Sequence, residues 1–133
     1  MKVRAAVIPA SDIPANIEPF TRQRFITAGT EYDVHAVAVI ATGTGVPFVQ
    51  VVDDLGYPAW LPHILFNIVD MSLPLDWRCN CVKTGDGGNA LLLGPDFVVR
   101  DEQSYNDMVE LDADQVDRFW RRIDSLSPRE ELE

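Results

Sequence analysis

The chain has 133 residues, 47% of them hydrophobic, which is enough to bury one core, so general disorder is not expected. Its formal net charge is −10, from 21 acids against 11 lysines and arginines, and a surface of that sign repels phosphate backbones, so direct nucleic-acid binding is not expected. No apolar run reaches the ~18 residues of a membrane-crossing helix, and the apolar stretch after the basic start is too short for a secretory signal; a cytoplasmic protein without a membrane partner is expected.

Lys2 to Ile8 predicts a strand of weak alternation that pairs at a sheet edge. Pro9 to Pro19 carries three prolines and reads as an ordered loop or strap, within which Ser11 to Pro14 can start a single helical turn. Phe25-Ile26-Thr27 is a short strand candidate, and Ala28-Gly29-Thr30 turns into the stretch around which the chain is organised, Glu31 to Asp70. There, Tyr32, Val34, Ala36, Ala38 and Ile40 fall on one face of a strand. Asp33, His35, Val37, Val39 and Ala41 fall on the other, so the strand is half-covered at its start and buried on both sides later. Glycines at 43 and 45 break it. Pro47 begins a second strand through Val52, and Asp53 to Gly56 forms a turn. Tyr57 to Leu61 makes a third strand. Pro62 leads a 3₁₀ turn over His63 to Leu65, and Phe66 to Val69 closes the series.

The run DDLGYPAWLPHILFNIVD (residues 53–70) resembles the final strands of bacterial SH3-like small barrels: a strand, an acid–Gly turn, an aromatic strand, a proline-led 3₁₀ turn and a Leu-Phe-x-x-Val-Asp strand. The resemblance implies an α+β, mainly β fold, an SH3-like small antiparallel barrel over residues 31–70. A hairpin over 76–93 and C-terminal helices over 101–126 complete one domain. It says little of function, because small barrels host many unrelated roles.

After a loop from Met71 to Leu75, Asp76 to Lys83 alternates as a strand with Trp77, Cys79, Cys81 and Lys83 on one side and Trp77 anchored inward. Thr84 to Asn89 is a glycine-rich hairpin loop. Ala90 to Leu93 returns as a strand that Gly94-Pro95 ends, and Phe97 to Val99 reads as a further strand piece. Asp101 to Glu110 predicts a helix with Tyr105, Met108 and Val109 on one face. Asp112 to Gln115 has the capping-box form. The helix that follows, about Ala113 to Leu126, carries the stripe Val116, Phe119, Trp120, Ile123 and Leu126, with Asp114, Asp117, Arg118, Arg121 and Arg122 facing out. Ser127-Pro128 stops it.

Phosphate loops, nucleophile elbows, zincin motifs and dinucleotide fingerprints are all missing from the sequence. Cys79 and Cys81 are two apart, a spacing that would strain a disulfide, so two reduced, packed thiols are expected. With His35 and His63 they would make a Cys₂His₂ metal set or a Cys–His nucleophile only if the fold gathered them. Neither the spacing nor a mid-strand position favours that. Asp53-Asp54 reads as a turn and Asp112 and Asp114 as a helix cap. No catalytic residue, metal or cofactor is expected, and the chain is not expected to be an enzyme.

Charge is unevenly spread: residues from Asp96 onward hold twelve acids and five arginines. The reading that follows is a non-catalytic, acidic protein-interaction protein that masks a basic partner, in the manner of immunity or inhibitor proteins. Asp101, Glu102, Asp107, Glu110, Asp114 and Asp117 form the charged surface, and Tyr57 and Trp60 are the candidate anchors. The alternative is a ligand-binding or enzymatic cleft lined by His35, His63, Trp60 and Asp54.

Overall fold

The computed structural model describes residues 1–6, 25–40, 45–83 and 88–126. The predicted strap at 9–19, most of the turn at 41–45 and of the hairpin loop at 84–89, and the stop at Ser127-Pro128 lie outside them. Eight strands come first: β1 (Lys2–Ala5), β2 (Glu31–Asp33), β3 (Ala36–Ile40), β4 (Pro47–Val52), β5 (Pro58–Pro62), β6 (Phe66–Asp70), β7 (Trp77–Lys83) and β8 (Asn89–Pro95). A 3₁₀ turn at His63–Leu65 joins β5 to β6, as its leading proline predicts. Three helices follow: α1 (Asp96–Val99), α2 (Glu102–Val109) and α3 (Ala113–Leu126).

The strands form two antiparallel sheets, in the orders β2-β1-β6 and β5-β4-β3-β8-β7. The fold is therefore α+β with mostly strands, but residues 31–70 do not close into a barrel. The expected single strand from Tyr32 to Ile40 breaks at Val34-His35. There the Val34 N–H donates to Met1 O at 2.9 Å in one sheet, while the His35 N–H donates to Gln50 O at 2.8 Å in the other. Two neighbouring peptide groups thus bond into different sheets, and the chain turns a corner. The alternation survives, but Tyr32 and Val34 enter one core and Ala36 and Ala38 the other. Strand β1 is the centre of its sheet rather than an edge. Its Val3 and Ala5 are buried while Lys2 and Arg4 are exposed, and Arg4 pairs with Glu31 of β2 at 2.6 Å. Residues 25–27 are not a strand.

One face of the five-stranded sheet carries Ala36, Ala38, Ala90, Leu92 and Val82 and is covered by Val98, Val99, Tyr105, Met108 and Phe119 from the helices. Small residues permit the close approach. Gly94 lies opposite Ala36, and a Cβ there would sit 2.9 Å from the Ala36 Cβ and 3.5 Å from Val99. The other face packs Val49, Val51 and Leu61 against Val3, Ala5, Tyr32, Leu65 and Phe66 of the smaller layer.

The segment Phe97 to Val99 is the helical turn α1 and not a strand piece. Pro95, φ −66°, ends β8 and lacks the N–H a ladder needs, and Asp96 binds Arg100 one turn on at 2.7 Å. Asp101 caps α2 by accepting the Ser104 N–H at 2.7 Å. Val109, expected on the buried face with Tyr105 and Met108, is exposed. Asp112 caps α3 through the N–H groups of Asp114 and Gln115. The return half of the capping box is absent. The Gln115 side chain is buried and donates instead to Phe97 O at 2.8 Å and Ser104 O at 2.9 Å, pinning α1, α2 and α3 together. Along α3 Phe119 is buried, Val116, Trp120 and Ile123 are half-buried, and Leu126 is exposed. Among the described residues no helix is long and apolar enough to cross a membrane.

Candidate functional site

The helical layer presents the acids. Asp101, Glu110, Asp114 and Asp117 are exposed, and Glu102 and Asp107 are half-exposed. Asp117 pairs with Arg121, one helical turn on. Asp107 accepts the Gln103 amide at 2.6 Å. The hydrogen bond from the Ser104 N–H holds the Asp101 carboxyl below the usual carboxylate range. Among the described residues no cation lies within 4 Å of Glu102, Asp107, Glu110 or Asp114.

The two aromatic anchors part company. Tyr57 is 57% exposed, whereas Trp60 is half-buried, edge-on to Tyr105 with ring centroids 5.6 Å apart. That contact sets α2 over the β5 edge strand. Tyr57 is held by its backbone: its N–H and that of Leu55 both donate to the Asp53 carboxylate at 3.0 Å, and Gly56 supplies the positive φ, +85°, of the turn. Asp54 latches the same turn to the chain entering β2. It accepts Thr27 Oγ1 at 2.6 Å and Tyr32 Oη at 2.7 Å, and these bonds hold its carboxyl below the usual range. Both aspartates are thus consumed by the turn.

The other chemically capable side chains are dispersed. His35 packs edge-on to Phe119, ring centroids 5.0 Å apart, beside a cavity of about 280 Å³ that Arg122 and Asp33 also line. Burial first of all pushes its pKa down to about 4, with Asp33 opposing and Arg122 assisting, so the ring is neutral at pH 7. It makes no side-chain hydrogen bond among the described residues. His63 is exposed, with Nδ1 3.3 Å from Pro47 O. It follows β5, at the edge of the five-stranded sheet opposite β7, which holds the cysteines. Four strand spacings of about 4.8 Å put those edges roughly 19 Å apart. Cys79 and Cys81 are free thiols and exposed, not packed as expected: the smaller layer packs on Trp77 at the start of β7, and the two thiols further along the strand face solvent. No group of three or more metal-ligating side chains occurs among the described residues. His35, His63, Trp60 and Asp54 share none of the clefts described here.

No family model matches this chain, and no curated protein or solved structure is similar to it.

The net charge conceals a local excess of arginine. Arg78, Arg100, Arg118 and Arg122 line an open cleft of about 690 Å³ at the junction of β7, α1 and α3. Two carboxylates balance much of it. Asp76 takes both Nε and Nη2 of Arg122, at 2.8 and 2.7 Å, and these bonds lower its pKa. Asp96 takes Arg100 at 2.7 Å and Arg78 at 3.8 Å. Arg122, expected to face out, is nearly covered, its side chain 11% exposed, and it ties α3 to the start of β7. The 118/122 spacing puts two guanidiniums on one helix face and was visible in the sequence. Their meeting with Arg78 was not.

Proposed function

We propose that this chain is a non-catalytic, acidic protein-interaction protein that masks a basic partner, as immunity and inhibitor proteins do. One observation carries this reading: the carboxylates of Glu102, Asp107, Glu110 and Asp114 stand on the solvent side of α2 and α3 with no cation within 4 Å among the described residues. Such a layer holds a negative field that a basic surface neutralises, which raises the rate of encounter and suppresses acidic competitors. Tyr57, projecting from a turn stiffened by Asp53 and Asp54, offers an aromatic anchor at little entropic cost. Trp60 lends support from below through Tyr105. The SH3-like resemblance enters this proposal only through the order β4, turn, β5, 3₁₀ turn, β6, which presents Tyr57.

The test is a pull-down at low salt with the full chain as bait, beside the triple variant Glu102→Lys, Glu110→Lys, Asp114→Lys. The expected result is a basic protein retained by the wild type and lost from the variant. Its association rate should fall about tenfold or more as salt rises, since the Debye length shortens from ~30 Å at 0.01 M to ~8 Å at 0.15 M. Recovery of no basic protein, or equal capture by the variant, would refute the reading.

A further inference from the structure

The acidic chain carries one positive cleft. Four of its nine arginines, Arg78, Arg100, Arg118 and Arg122, line the open space of about 690 Å³ where β7, α1 and α3 meet, together with two carboxylates, Asp76 and Asp96. The lining thus holds an excess of two positive charges. Asp101 acts on Arg100 from outside it. Lysine is absent from the lining, so every cation there is a planar fork that stays charged and meets an oxyanion with two N–H groups.

Their partners divide the four arginines into two kinds. Arg122 is nearly covered and gives Nε and Nη2 to the two oxygens of Asp76. Arg100 gives the same two groups to Oδ2 of Asp96, at 3.0 and 2.7 Å. The other two forks are open. Arg78, its side chain 72% exposed, stands 3.8 Å from Asp96 Oδ1, beyond hydrogen-bond reach. Among the described residues Arg118 has no carboxylate within 4 Å, and its one side-chain hydrogen bond is a long one, 3.5 Å, to Gln115 Oε1. One open fork comes from β7 and the other from α3, and the rings of Trp77 and Phe97 line the same cleft with Leu75.

We propose that this cleft binds a phosphate monoester whose organic body is apolar. Oxygen count selects the group. Asp76 spends both carboxylate oxygens on a single arginine. Two open forks on different elements call for a third terminal oxygen, which a phosphate monoester supplies. Charge agrees, since a monoester carries about −1.5 to −2 at pH 7 and matches the local excess. A phosphodiester, with two free oxygens and one charge, falls short on both counts, so a nucleic-acid backbone is not the ligand. Trp77, Phe97 and Leu75 offer apolar surface to the body. The net charge of −10 does not forbid the ligand: at 0.15 M salt the Debye length is ~8 Å, and carboxylates farther away act weakly beside guanidiniums in contact. The cleft is separate from the surface proposed to meet a basic partner. Glu102, Glu110 and Asp114 do not line it, so either reading can fail without the other.

Calorimetric titration of the full chain at about pH 7.5, where the ester is a dianion, compares phenyl phosphate, benzoate and a short uncharged peptide bearing phosphotyrosine. The expected result is one-to-one binding of phenyl phosphate, about tenfold or more tighter than benzoate, which has the same ring but one charge and two oxygens. Arg118→Gln and Arg78→Gln each remove an open fork from an exposed position and should weaken binding about tenfold. Arg121→Gln, exposed on α3 outside the cleft, should leave it unchanged. In the unsubstituted protein the Nε–H resonances of Arg78 and Arg118 should shift along the same saturation curve. The peptide separates the two sources of the group. Binding about tenfold tighter than phenyl phosphate assigns the cleft to a phosphorylated protein, and equal or weaker binding assigns it to a free ester. No saturable binding of phenyl phosphate up to about 10 mM, benzoate binding as tightly, or an equal loss in Arg121→Gln and Arg118→Gln would overturn the proposal.

Discussion

His35 links acidity to stability. In the fold it sits against Phe119 with a pKa of about 4, whereas in the unfolded chain it titrates near its ordinary 6.5. Between these values the unfolded state binds more protons than the native state, so stability rises with pH across the window. The contribution is complete above pH 6.5 and is lost as pH falls towards 4. At 1.36 kcal/mol per pH unit the whole loss is about 3 kcal/mol, a large share of the 5–15 kcal/mol typical of a domain. Asp33, Arg122 and the N-terminal amine act on the ring with mixed signs, leaving burial as the dominant cause. The assay is urea unfolding at pH 7.5, 6.5, 5.5 and 4.5 for the wild type and for His35→Phe, which keeps an aromatic ring beside Phe119. Carboxylates with depressed pKa values, such as Asp54 and Asp76, lose their contributions at lower pH in both proteins and cancel in the difference. The wild type should lose about 2–3 kcal/mol relative to the variant between the first and last pH. A difference that stays constant with pH, or an imidazole NMR titration for His35 with its midpoint near 6.5, would refute the reasoning.

Two stability predictions rest on the five-stranded sheet. Gln50 is fully buried opposite Trp60, and among the described residues neither its side-chain oxygen Oε1 nor its side-chain nitrogen Nε2 has a hydrogen-bond partner. Gln50→Met replaces it with an apolar chain of similar shape and should raise the unfolding free energy by about 1–3 kcal/mol, read by urea titration; a loss would show that the amide bonds an internal water. Gly94→Ala drives a methyl group into the Ala36 Cβ, which cannot yield without moving β3, and should cost about 1–3 kcal/mol in the same titration; an unchanged midpoint would mean that the two strands separate freely.

Local signals in the sequence carried through wherever the interaction is local. Pro62 and the 3₁₀ turn, the Asp53–Gly56 turn, the Asp112 cap and the length of α3 each depend on atoms a few residues apart. The acidic surface was legible too, since α2 and α3 are helices with alternating buried and solvated sides and their carboxylates had nowhere else to go. Gln115 was misread because its signal fits two partners. A glutamine three residues after an acceptor can reach back to the cap, or it can be drawn into the space between α1 and α2, and only packing chooses.

What the amino-acid order determined by itself was most of the elements and their alternation, though not α1 or the break at Val34-His35, because period two and period 3.6 are properties of the backbone. What it could not determine was which strands pair. Tyr32 to Ile40 alternates without a fault, yet opposing hydrogen bonds at Val34 and His35 send its halves to different sheets, and that choice depends on Met1 and Gln50. The same partition exposes Cys79 and Cys81, neutralises His35 by burial, and gathers Arg78, Arg100, Arg118 and Arg122 around one cleft. Pairing, solvation and clustering of charge are interactions between distant segments, so they exist only once the tertiary structure has formed.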